Sequence, residues 1–227
     1  MTGRSLERKL RFRGLLLGLG IYRVAIKRVL DASHLSTLLA TFAINMILVG
    51  LGTAAFSTNP RAVDVNLGSV TIGSVTVQVT RLVAALASIL VAGALYLFLN
   101  RSRPGKYIRA ITNNRNAAEL EGIPSQRMLA LSFGLGCMLA TLAGGLIATF
   151  FPFTILSGDS YQVKSFIIVV LGGLGNPLGA LVGGLILGLL EGIVPAFLPT
   201  SWVPVIEFVL FILILIVKPT GLFGGKE

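Results

Sequence analysis

The chain has 227 residues, of which 54% are hydrophobic and only 12% are charged, and its mean hydropathy is +0.87. A water-soluble domain averages about 25% charged residues, so this composition excludes a soluble enzyme, a disordered chain and a disulfide scaffold. The excess of 19 Lys and Arg over 9 Asp and Glu does not indicate nucleic-acid binding, because so apolar a chain exposes basic groups only in its loops. The composition indicates a membrane protein in contact with lipid.

Uninterrupted apolar stretches predict the membrane spans, since about 20 helical residues cross roughly 30 Å of hydrocarbon. The stretch 163–194 is longer than one crossing, and its central sequence GGLGNP would end a helix, so we interpret it as a hairpin of two shorter helices. The predicted fold class is an all-α polytopic membrane protein. Its transmembrane helices number about six, at 35–56, 82–99, 128–151, 163–174, 178–194 and 203–217.

In the extracytoplasmic loop between the first two spans, hydrophobic residues alternate with polar ones. Within 65–79, a period of two around a turn at Gly73 and Ser74 predicts a short β-hairpin. The alternating hydrophobic residues are Val70, Ile72, Val75, Val77 and Val79. This small hairpin is the only β-structure that the sequence predicts.

The loop 100–127 contains the signals of a short helix. Asn113 or Asn114 is its N-cap, Gly122 is a left-handed C-terminal stop, and Pro124 prevents its continuation. A capped helix between two spans is a natural docking surface. A solvated amphipathic connector explains the same pattern, and the residues leave both interpretations open.

The distribution of basic residues predicts the orientation in the membrane. Sixteen of the 19 Lys and Arg precede the first span or lie in the 100–127 loop or in the tail, so both termini and that loop are expected in the cytoplasm. The chain then has three parts, which are a basic cytoplasmic segment (1–34), a transmembrane permease-like domain (35–218) and a cytoplasmic tail (219–227).

Small residues recur every four positions on two of the predicted elements. This spacing gives a smooth helix face on which two backbones can approach closely. It fits a movable bundle or a subunit interface, and it fits static packing equally well. The residues concerned are Gly136, Ala140, Gly144 and Ala148 on the third span, and Gly175, Gly179 and Gly183 across the hairpin.

Motifs for catalysis or for binding a metal or cofactor are missing from the sequence. His34 is the only histidine, Cys137 is the only cysteine, and GGLGNP lacks the Lys-Ser/Thr ending of a phosphate-binding loop. We therefore predict no catalytic residue, no metal ligand and no cofactor.

Three ionisable residues lie near membrane depth, namely Lys164 and Glu191 at the outer ends of the hairpin helices and Glu207 in the last span. Such charges usually face protein or water, which makes Lys164 and Glu191 candidates for a substrate pathway. Alternatively, these two residues pair with each other and hold the hairpin together. Glu207 follows the interfacial Trp202 closely and is expected to extend to the membrane surface.

Four blocks of the sequence resemble the permease subunits of branched-chain amino acid ABC transporters. In the family's order, over about residues 82–225, they are RSRPGKYIRAITNNRNAAELEGI, GLGCMLATLAGGLIATF, VKSFIIVVLGGLGNPLGALVGGLILGLLEG and KPTGLFG. The resemblance implies a permease subunit that forms half of a translocation pathway in a bacterial or archaeal cell (inner) membrane. The implied partners are a second permease subunit, cytoplasmic ATP-binding subunits that hydrolyse the ATP, and an extracytoplasmic solute-binding protein. Similar permeases serve urea or short amides, which are the alternative substrates.

The resemblance also assigns a role to the short helix. ABC permeases commonly carry Glu-Ala-Ala-x-x-x-Gly on a coupling helix that sits in a cleft of the ATPase. Ala117, Ala118 and Gly122 match this pattern, Asn116 stands where the glutamate would be, and Glu119 lies on the same helix.

Family members usually have further transmembrane helices ahead of the region that resembles residue 29 onward. The resemblance therefore leaves two hypotheses, a transport subunit whose start is displaced or a truncated, non-transporting membrane fragment.

Overall fold

The computed structural model describes residues 14–27, 34–63, 68–72, 75–173, 175–218 and 221–223. The chain divides into two compact units, Met1–Ile155 (unit 1) and Leu156–Glu227 (unit 2). Among the described residues, five helices are long and apolar enough to cross a membrane, and a two-stranded antiparallel sheet is present. The predicted fold class, an all-α polytopic membrane protein with a small β-hairpin, is confirmed.

The first described element of unit 1 is a helix, α1, at residues 14–27, in which Tyr22–Ile26 is π-helical. The elements that follow are α2 (His34–Phe56), β1 (Ser69–Ile72), β2 (Val75–Gln78), α3 (Val79–Arg101), α4 (Arg103–Asn113), α5 (Arg115–Leu120) and α6 (Ser125–Ile147).

The β-hairpin leads directly into a long helix. Its strands pair from Ser69 opposite Gln78 to Ile72 opposite Val75, and the expected turn at 73–74 lies outside the described residues. The N–H of Val79 donates to the carbonyl of Gly68 at 3.1 Å, and the same residue begins α3. The prediction that Val79 belongs to the strand is therefore wrong, because the strand register ends at Gln78 and helical hydrogen bonding takes over.

Helix α1 lies in the N-terminal segment 1–34, for which the sequence predicts only a basic character and no helix. It packs on α6. A Cβ at Gly14 would lie 2.6 Å from Thr141 Oγ1, and one at Gly18 would lie 2.7 Å from the Cβ of Cys137. Larger side chains at these two positions would hold the helices apart. The spacing of four residues between these glycines is the signal by which the contact can be recognised in the sequence.

Unit 2 contains α7 (Ser157–Gly172), α8 (Pro177–Phe197), a 3-10 turn (Thr200–Trp202) and α9 (Val203–Val217). Helix α7 begins six residues before the predicted residue 163 because its first turns are polar and have no apolar pattern. Asp159 lies in the first turn, where a negative charge interacts favourably with the helix dipole. The hairpin helices are thus 16 and 21 residues long.

Helices α7 and α8 approach each other backbone to backbone. A Cβ on Gly179 would overlap the carbonyl of Gly172, and a Cβ on Gly183 would lie 2.9 Å from the carbonyl oxygen of Ile168. Gly173 and Gly175 have φ of 95° and 82°, a region that L side chains rarely adopt, so the turn between the helices requires glycine.

The segment after α9 returns to this turn. The N–H of Leu222 donates to the carbonyl of Leu171 at 2.8 Å, and the amide nitrogen of Asn176 donates to the carbonyl of Phe223 at 3.1 Å. The side-chain oxygen of Asn176 accepts from the N–H groups of Leu178 and Gly179 and so caps α8. One side chain therefore joins the start of α8 to the tail.

The close contact at Gly179 predicts that Gly179→Ala lowers the free energy of unfolding by about 1–3 kcal/mol, because the added methyl group overlaps backbone atoms. Gly188→Ala is the matched control, since a Cβ at Gly188 on the same helix meets nothing within 4 Å. Thermal unfolding of the purified protein measures both effects. Equal melting temperatures for the two variants would show that the α7–α8 contact is looser than described.

Candidate functional site

The antiparallel register of α7 and α8 decides which polar residues meet in unit 2. Ile168 of α7 lies against Gly183 of α8. Because the helices are antiparallel, Lys164, one turn earlier on α7, lies opposite Leu187, one turn later on α8. Helical side chains lean toward the N-terminus of their own helix. Lys164 therefore leans along α8 toward Glu191, and Glu191 leans back toward it.

The resulting ion pair is short and partly buried. Lys164 Nζ donates to Glu191 Oε1 at 2.5 Å, and the two side chains are 29% and 37% exposed. The structure thus brings together the two residues that the sequence singled out as a pathway or as a structural pair. Their contact accords with the interpretation as a structural pair.

Glu207 of α9 joins this pair, contrary to the expectation that it extends to the membrane surface. Its Oε1 lies 3.9 Å from Lys164 Nζ, and its side chain is only 4% exposed. Val203, one turn earlier, is also buried, and Phe211, one turn later, packs on Phe166 with ring centroids 5.9 Å apart and the ring planes tilted by 54°. Glu207 thus lies on the face of α9 that packs against α7. Because α9 is apolar all round, its sequence gives no sign of which face this is.

In unit 1, the short helix α5 has the ends that the sequence predicts. Asn114, one of the two candidate caps, accepts from the N–H of Ala117 at 3.1 Å. Gly122 has φ of 77°, and the N–H of Ile123 donates to the carbonyl of Ala118 at 3.0 Å, which closes the C-terminus. The Arg115–Glu119 ion pair, 3.0 Å long, spans one turn of the helix.

Helix α5 buries one side and presents the other. Ala118 is buried, whereas Asn116, Ala117 and Glu119 are exposed, and Leu120 is 90% exposed. Beside the helix lies a cavity of about 400 Å³ lined by Arg115, Glu119, Pro124, Ser125, Gln126 and Arg127. An exposed apolar side chain, Leu120, beside a polar cavity is a surface that a partner protein can bind. The extreme exposure of Leu120 has no signature in the sequence.

The predicted small-residue positions fall into two groups. Gly179 and Gly183 lie in the α7–α8 contact, whereas Gly175 lies in the turn before α8. Gly136 and Gly144 are exposed, and a Cβ at either would meet no atom of the described chain within 4 Å. Within unit 1, α6 instead uses Gly134, where a Cβ would lie 3.4 Å from the side chain of Leu19.

A structural role for the ion pair predicts that Lys164→Met and Glu191→Gln each lower the melting temperature, because each removes the short contact between Lys164 and Glu191 and leaves the remaining charge less well compensated. The double variant should recover part of the loss, with a coupling free energy of about 0.5–3 kcal/mol. Thermal unfolding of the four proteins gives this energy. Strictly additive losses would mean that the pair contributes nothing to stability.

The family model described as branched-chain amino acid transport system / permease component matches residues 12–216. The high-affinity branched-chain amino acid transport system permease protein LivH of Escherichia coli is 35% identical over 138 residues, which are 59% of this chain and 44% of that protein. The corresponding protein BraD of Pseudomonas aeruginosa is 29% identical over 218 residues, 92% of this chain and 71% of BraD. A probable branched-chain amino acid transport permease protein LivH of Methanocaldococcus jannaschii is 29% identical over 229 residues, 93% of this chain and 71% of its own length.

The stretch aligned with the Escherichia coli protein thus spans less than half the length of that relative. No solved structure is significantly similar to this chain. The family match begins before α1 and ends within α9, so it includes every element described above. The chain is a multi-pass membrane protein that belongs to the family of branched-chain amino acid transport permeases.

Proposed function

We propose that the chain is a permease subunit of an ABC importer for branched-chain amino acids and forms half of the translocation pathway. Family membership and the substrate class of the relatives support the proposed substrate. The observation that carries the proposal is the short helix α5 between two candidate spans, α3 and α6, which is capped at both ends and exposes one side to a partner. A transporter driven by a separate ATPase needs such a contact.

The proposed orientation has both termini in the cytoplasm of a bacterial or archaeal cell, with the chain in the cell (inner) membrane. The basic loop that contains α5 then faces the cytoplasm, where ATP-binding subunits hydrolyse ATP. The β-hairpin of β1 and β2 faces outward, where a solute-binding protein can reach it. This arrangement agrees with the distribution of Lys and Arg.

In this proposal α5 couples the ATPase to the membrane helices as a rigid body. The Asn114 cap and the Gly122 stop hold both helix ends, so a force on α5 displaces the helix rather than unwinding it. Leu120 inserts into an apolar cleft of the ATPase, and the small exposed Ala117 allows the two surfaces to close. The neighbouring helices α4 and α6 carry the displacement into the bundle.

The coupling role predicts that Leu120→Asp lowers leucine uptake at least about tenfold, because a central apolar anchor contributes about 2 kcal/mol or more to an interface. The variant should reach normal membrane abundance, since Leu120 is 90% exposed. Glu121→Gln, a change at an exposed neighbour, is the matched control. The measurement is uptake of labelled leucine, with and without competing isoleucine or urea, in cells that express the chain with its ATP-binding, second permease and solute-binding subunits.

Unchanged uptake together with unchanged co-purification of the ATP-binding subunit would exclude the coupling role of α5. Uptake that urea suppresses and isoleucine does not would contradict the proposed substrate.

The second permease subunit is proposed to contact the exposed small residues of α6, Gly136, Ala140 and Gly144. Gly144→Leu should weaken association of the two subunits while the melting temperature of the isolated chain stays the same, since Gly144 is exposed and a Cβ there meets no atom of the described chain within 4 Å. Gly134→Leu, on the buried side of the same helix, should lower the melting temperature instead. Size-exclusion chromatography and thermal unfolding separate these effects, and an intact complex with Gly144→Leu would place the interface elsewhere.

A further inference from the structure

Three residues on three helices of unit 2, Lys164, Glu191 and Glu207, form what we call the charge cluster. Both glutamates have an oxygen within 4 Å of the same ammonium nitrogen. If all three groups were ionised, the cluster would carry a net charge of −1 inside a membrane bundle. An uncompensated charge there is costly, so the cluster requires one further positive charge.

The described residues of unit 2 offer no second cation for this purpose. Helix α7 also carries Asp159 and Tyr161, of which Asp159 would only add negative charge. Lys218 follows the other end of α9, where its Nζ donates to the carbonyl of Leu222 at 2.7 Å. On α8, Glu191 is the only ionisable residue. The compensating charge therefore comes from outside these side chains.

The carboxyl groups themselves indicate what that charge is. Those of Glu191 and Glu207 share one ammonium group, at 2.5 Å and 3.9 Å from Lys164 Nζ, and the Glu207 side chain is only 4% exposed. When two carboxyl groups share one site and one of them is buried, the protonated form of one is favoured over two carboxylates. A buried Oε1 of Glu207 that has no hydrogen-bond partner in the described chain also indicates that this side chain is not a fully solvated carboxylate.

We propose that the charge cluster is a proton-binding site and that Glu207 carries the proton. Lys164 lies closer to Glu191 than to Glu207, at 2.5 Å against 3.9 Å, and so forms its ion pair with Glu191. Glu207 is the more buried of the two carboxyl groups, at 4% exposed against 37%, and is the neutral acid beside this pair. The cluster as a whole is then electrically neutral.

This arrangement makes the packing of α9 sensitive to pH. When α9 separates from α8, water reaches Glu207, and the exposed carboxyl releases its proton at neutral pH. Alkaline conditions therefore favour the separated arrangement, and acidic conditions favour the packed one. The proposal concerns the protonation of this chain alone and does not depend on its role in transport.

The test is infrared spectroscopy of the full chain in lipid nanodiscs, with the pH titrated from acidic to alkaline. The wild-type protein should show the C=O stretch of one protonated carboxyl group at neutral pH and lose it at alkaline pH. Glu207→Gln should abolish this band while keeping the neutral-pH melting temperature, because the amide is also a neutral hydrogen-bond donor. Glu119→Gln, in the exposed ion pair of α5, should leave the band unchanged.

Two results would overturn the proposal. One is a wild-type spectrum with no protonated carboxyl group at neutral pH, a result that does not depend on whether any variant folds. If the melting temperature then rose with sodium or potassium concentration, a metal ion would be the compensating charge. The other is a band that persists in both Glu207→Gln and Glu191→Gln, which would place the proton on a different residue.

Discussion

The backbone contact between Gly172 and Gly179 is the constraint on which unit 2 depends. At that point two helices are as close as their main chains allow, so neither can slide along the other without a clash. This fixed register places Lys164 within reach of Glu191. As a result, Glu207 lies beside an ion pair, Lys164–Glu191, whose two charges already cancel. The cluster of Lys164, Glu191 and Glu207 thus depends on the two glycines near the turn, because a side chain at either would hold α7 and α8 apart.

Local signals gave reliable predictions because they depend only on neighbouring residues. The cap at Asn114 and the stop at Gly122 are determined by backbone hydrogen bonds within α5 and need no knowledge of the rest of the fold. The same holds for the turn around Gly173 and Gly175, where positive φ excludes most other residues. The apolar spans are equally local, since length and hydropathy define them.

The position of Glu207 and the roles of individual glycines could not be predicted, because they depend on which face of a helix meets another helix. In lipid, a helix such as α9 is apolar on every side, so hydrophobic periodicity does not distinguish the buried position of Glu207 from an exposed one. Glycine spacing is similarly ambiguous. Gly134 packs against α1 and Gly136, two residues later, does not, although both belong to the same glycine-rich helix. Only the three-dimensional arrangement separates such positions.

The return of the tail to the hairpin turn has a consequence for the order of events during synthesis. The carbonyl of Leu171 receives the N–H of Leu222, and Asn176 binds the carbonyl of Phe223, across separations of about 50 residues. Until α8 and α9 have been made, these turn groups lack the partners that the tail supplies. The hairpin can therefore enter the membrane as two helices, but its turn is completed only after translation has passed α9. Early steps of membrane insertion thus take place with this turn still open to water or to the insertion machinery.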